Sequence, residues 1–99
     1  MSASTLAAIL RIVETAARIG RVLGADRTVG FFRALFDGSL TSAQAAEEAA
    51  RALGVALDLE LLRADIELVK LALTVDEATR TVDKAIQWTN PNDNGEDDR

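Results

Sequence analysis

Apolar residues recur along this chain at spacings of three and four, the period of a helix rather than the alternation of a strand. Near the N-terminus the charges fall only at Arg11, Glu14, Arg18 and Arg21, a single narrow polar stripe. Leu6, Ile9, Leu10, Ile12, Val13, Ile19, Val22 and Leu23 fill the rest of the surface. The pattern predicts a helix over 4–23, capped by Ser2, Ser4 or Thr5. An apolar arc this wide needs cover on more than one side. Ala16, Gly20 and Gly24 recur every fourth residue. Small residues at that interval let a neighbour approach closely, here within a soluble bundle.

Gly24 ends this helix, and Asp26 or Thr28 is placed to cap a short second one near 28–36. All three phenylalanines lie in that segment. Phe32 and Phe36 share a face with Val29, while Phe31 points with Leu35. The phenylalanines are read first as a core plug and alternatively as an aromatic patch for a partner or a bilayer surface. "LTSAQAAEEAARALG" then encodes a capped third helix. Thr41 is the N-cap, Gln44 closes a capping box, Leu40 stands in the staple position, and Gly54 is the stop.

From Leu57 onward two apolar series run side by side. Leu59, Leu62, Ile66, Val69 and Leu73 make the first. Leu57, Leu61, Ala64, Leu68, Leu71 and Val75 make the second, which continues through Ala78, Val82 and Ala85. Glu60, Arg63, Glu67 and Lys70 begin a polar stripe of alternating sign, suited to pairing along a solvated face. The second series and the polar stripe keep phase to residue 85, so the pattern predicts one helix over about 55–89, roughly 52 Å long. The alternative is a break at "TVDE", where Thr74 and Glu77 form a second capping box. Trp88 is expected to anchor the last turn against the bundle, or else to contact another subunit. Asn90–Pro91 stops the helix. Residues 91–99 lack apolar side chains and are expected to be a disordered acidic tail, leaving 1–90 as one helical domain.

Composition sharpens this picture. Apolar residues form 48% of the chain but aromatics only 4%, so the core must be built from Leu, Ile, Val and Ala. The expected fold is all-α: a small bundle of four to five helices with a long C-terminal helix, completed by homo-oligomerisation. No apolar run resembles a secretory signal or a membrane span, so the default location is cytoplasmic. Cysteine, histidine and tyrosine are all absent. Thiolate metal sites, cysteine nucleophiles and histidine general bases are therefore excluded. Carboxylate pairs at helical spacing exist, such as Asp58 with Asp65 and Glu60 with Glu67, but they read as solvated faces. No cofactor, metal or catalytic residue is assigned, and an enzyme is not expected.

The net charge of −5 is unevenly spread: residues 1–40 carry five arginines against three acids, and the remainder is acidic. Residues 49–55 imitate the start of a helix-turn-helix. The would-be recognition helix carries Asp58, Glu60, Asp65 and Glu67, which would repel phosphate, so a nucleic-acid partner is not expected. The leading functional expectation is a non-enzymatic helical interaction module, an adaptor or structural protein whose partner is itself. Its seams would be Leu57, Leu61, Leu68, Leu71 and Val75 beside Leu59, Leu62, Ile66, Val69 and Leu73. Two adjacent leucine-rich stripes on one helix suit a three- or four-helix assembly. A first alternative is a small acidic inhibitor, immunity or antitoxin-type protein with one macromolecular partner. Small size and a net acidic surface suit that reading, and Phe31, Phe32, Phe36 and Trp88 are a candidate patch for a partner. A second alternative is peripheral membrane binding through the N-terminal amphipathic helix.

Overall fold

Residues 2–89 are described by a computed structural model, and all regular structure among them is helical. The elements are α1 (Ala3–Leu23), α2 (Ala25–Asp37), α3 (Ser42–Leu53), α4 (Leu59–Ala72) and α5 (Val75–Thr89). The acidic segment 91–99 lies outside the described residues.

Local chemistry sets most of the boundaries. Ser2 starts α1, its hydroxyl oxygen accepting from the Thr5 amide at 3.1 Å. Gly24 ends it at φ +91, a backbone conformation that costs a residue with a Cβ and is free to glycine. The chain turns straight into α2, three residues before the start expected at 28. Neither Asp26 nor Thr28 caps this helix. The Gly24 carbonyl instead accepts from both the Thr28 amide and, at 2.7 Å, the Thr28 hydroxyl, which satisfies a fully buried polar side chain. The capping box at α3 forms as expected: Gln44 N–H donates to the Thr41 hydroxyl, and Thr41 N–H donates to the Gln44 side chain.

The continuous helix over 55–89 does not form. Leu73 is extended, at φ −131 and ψ 151, and the chain reverses. Thr74 then caps α5, accepting from the Glu77 amide at 3.1 Å while Glu77 accepts from the Thr74 amide at 2.9 Å. Size agrees with the break. The longest dimension of the fold is 41 Å and its radius of gyration 13.2 Å, whereas an unbroken helix would span roughly 52 Å.

Reversal decides which residues meet. α1 packs against all four other helices, which answers its wide apolar arc largely from within the chain. α4 lies chiefly on α1, and α5 lies on α1 and α2. Ile12, Ala16 and Ile19 of α1, Phe32 and Phe36 of α2, Ala45 and Ala49 of α3, Leu62, Ile66 and Val69 of α4, and Ala78, Val82 and Ile86 of α5 form one core. The spacing of small residues in α1 has a use at two of its three positions. Ala16 is fully buried, and a Cβ built on Gly20 would stand 3.0 Å from Ile86 Cγ2.

The phenylalanines are a core plug. Phe32 and Phe36 are sealed inside and cannot form a surface patch, and Phe31 is half-buried with its ring edge-on to Phe32. Trp88 does not anchor the last turn of α5: its side chain is 83% exposed.

Candidate interaction surface

α4 carries the feature that the core leaves unexplained. Its two apolar series part company. Leu62, Ile66 and Val69 of the first series face α1 and the core, with Leu73 half-buried behind them and Leu59 exposed at the open end. The second series faces outward. Leu57 and Leu68 are half-buried, while Leu61, Ala64 and Leu71 are exposed. Leu71 is the extreme case, at 86% exposure. The intervals along Leu57, Leu61, Ala64, Leu68 and Leu71 are four, three, four and three, the rhythm of a seam between helices.

Val75 does not belong to this outer seam. It follows the reversal at Leu73, is half-buried, and packs with the core. Ala78 and Val82, in phase with the outer leucines by sequence, are buried on α1 and α2 for the same reason.

Charged residues border the seam on both sides. Glu60, Arg63, Glu67 and Lys70 are all exposed along one flank. On the other flank α4 meets α1. There Arg11 Nε and Nη2 donate to Asp65 Oδ2 and Oδ1, at 2.9 and 2.6 Å, a bidentate pair. The Asp65 side chain is only 4% exposed and the Arg11 side chain 44%. Asp65 is therefore not part of a solvated carboxylate face, as its spacing from Asp58 suggested. It is a buried acid held by an arginine from another helix. These hydrogen bonds push the Arg11 guanidinium further above its ordinary pKa. Asp58, the other member of that spacing, is the N-cap of α4 and accepts from the Leu61 amide at 3.0 Å. A cap is legible from sequence as a short polar residue ahead of an apolar run. The Arg11–Asp65 pair spans 54 residues and leaves no local signal.

Beside the pair is a shallow hollow of about 180 Å³. It opens between α1 and α4, with Ile12 and Thr15 on one side and Leu57, Leu61 and Leu62 on the other. No family model, curated protein or solved structure matches this chain.

Among the described residues no group of three or more metal-ligating side chains is gathered. Every buried side-chain nitrogen or oxygen there has a hydrogen-bond partner, so none points unpaired into a cavity. No described helix is long and apolar enough to cross a membrane. What stands out is an outer apolar row in which Leu57 and Leu68 lean against the core while Leu61, Ala64 and Leu71 stay exposed.

Proposed function

We propose that this protein is a non-enzymatic helical interaction module that works as a homo-oligomer through the outer seam of α4. The observation carrying this reading is Leu71, 86% exposed, at the end of a seam that includes Leu61 at 43%. Solvated apolar side chains are common singly, but a periodic row of them marks a contact surface. Leu61 and Leu71 are not taken up by the core, which Leu62, Ile66 and Val69 of α4 fill from the opposite stripe.

Size-exclusion chromatography with light scattering at micromolar concentration tests the reading. Mass well above the 10.6 kDa monomer is expected, together with a shift to monomer in Leu71→Lys at unchanged helicity. A wild-type monomer across that range overturns it. A second reading rests on Leu6 and Leu10, exposed on α1 at 51% and 59%, and on the net charge of −5. Together they suit a basic macromolecular partner, whose capture from host extract would weaken with salt.

A further inference from the structure

We infer that two copies pair through α4 in antiparallel fashion about a twofold axis, each Leu71 seating at the hollow beside Leu61 of the other copy. This rests on the self-association proposed above and specifies its geometry.

Three features point the same way. The most protruding side chain of the seam, Leu71, and the hollow beside Leu57 and Leu61 stand at opposite ends of the helix. Antiparallel pairing brings each protrusion to the other copy's hollow. Parallel pairing would set protrusion against protrusion.

Residue size agrees. With Leu61 opposite Leu71, the register is centred on position 66, and the exposed Ala64 falls opposite Leu68. A small residue faces a large one in both copies, as a twofold contact requires.

Charge agrees as well. In antiparallel pairing a flank meets the same flank of its partner, reversed. The stripe Glu60, Arg63, Glu67, Lys70 is complementary to its own reversal. Glu60 meets Lys70 and Arg63 meets Glu67, each within about 3 Å along the axis of the register set by the leucines. In parallel pairing this flank would face the opposite one, where Asp58 caps the helix and Asp65 is occupied by Arg11.

The chain has no cysteine, so single-cysteine variants report contacts cleanly. Leu61→Cys, enlarged by a short tag, and Leu71→Cys occupy exposed positions and should leave folding intact, which far-UV circular dichroism checks. Each is oxidised alone and in a mixture. A tagged–untagged disulfide in the mixture, with little product from either variant alone, is the expected result. Like positions lie about 15 Å apart along the axis in this register, beyond disulfide reach. Efficient cross-linking of Leu71→Cys with itself overturns the antiparallel geometry and leaves self-association standing. A dimer that cross-links in no combination overturns the register. A wild-type monomer overturns the underlying proposal itself.

Discussion

Replacing Gly20 by alanine sets two effects of similar size against each other. In an isolated helix the change stabilises by about 0.8–1 kcal/mol, because glycine loses more backbone freedom on folding. Here the new methyl would lie 3.0 Å from Ile86 Cγ2 and 3.2 Å from Cγ1. Ordinary carbon contacts fall at about 3.5–4.0 Å, so roughly half an ångström must be found. Ile86 cannot readily swing away. It is buried, both branches of its Cβ are involved, and a β-branched residue in a helix has one strongly preferred rotamer. The displacement must be carried by α5 as a body, and overpacking of that kind costs about 1–3 kcal/mol. The steric effect wins, for a net loss of about 1 kcal/mol. Ile86→Ala removes both offending carbons, at its own cost of about 2–5 kcal/mol. On that background the Gly20→Ala methyl meets only the remaining Cβ at position 86, at 3.6 Å an ordinary contact, and the helix gain of about 1 kcal/mol should appear unopposed. The coupling between the two sites is thus about 2 kcal/mol, within the range measured for residues in contact. Urea unfolding of the four proteins at one fixed concentration, followed by far-UV circular dichroism, reads it from the midpoints at constant slope. A Gly20→Ala midpoint that rises equally on both backgrounds would refute the close approach of α5 to α1.

Other substitutions probe the rest of the fold. Arg11→Met should lower the urea midpoint more than Asp65→Leu does, because the first strands a buried carboxylate and the second leaves a half-exposed arginine free to reach water; the reverse order would contradict the buried pair. Thr74→Ala should cost about 1 kcal/mol through loss of the α5 cap, with helix content unchanged, since fusing α4 to α5 would expose Val82 and Ile86; a rise in helicity with loss of compactness by scattering would count against this. Hydrogen bonds from Thr74 hold the Glu77 carboxyl below its ordinary value of 4.5. Its folded pKa is below its unfolded one, so its contribution is complete above about pH 4.5 and is lost as pH falls through the lower folded value. Glu77→Gln keeps an acceptor that does not titrate, so its urea midpoint should fall less than that of the wild type across this acid range; parallel profiles would argue against the capping box.

Much of this protein is written in short stretches of its sequence. Helical periodicity accounts for more of the chain than the strand-like alternation of "VALDLEL" and "LALTV" does, and Thr41, Gln44 and Gly54 delimit α3 through hydrogen bonds and backbone freedom that act within four residues. The leucines of α4 are likewise legible as two stripes, because residues three and four apart share a helix face wherever that helix lies. What lies across from each face is not a local property. The phase of the outer series continues unbroken through Leu73, so periodicity favours one long helix even though Thr74 and Glu77 supply a cap. Tertiary burial decides for the break. Reversal places Ala78, Val82 and Ile86 in the core, and full burial of a valine or isoleucine is worth about 1.5–3 kcal/mol against roughly 1 for a cap. That same reversal turns one sequence stripe into a buried face on α5 and a solvated seam on α4. Asp65 follows the same logic: its identity as an acid is in the sequence, but its burial depends on an arginine 54 residues away. By itself the sequence determined the helical class, the capping box of α3 and which residues of a helix share a face; only packing decided where the long apolar segment breaks, which leucines the core took and which were left on the surface, because burial is a property of the whole chain and periodicity of a few turns.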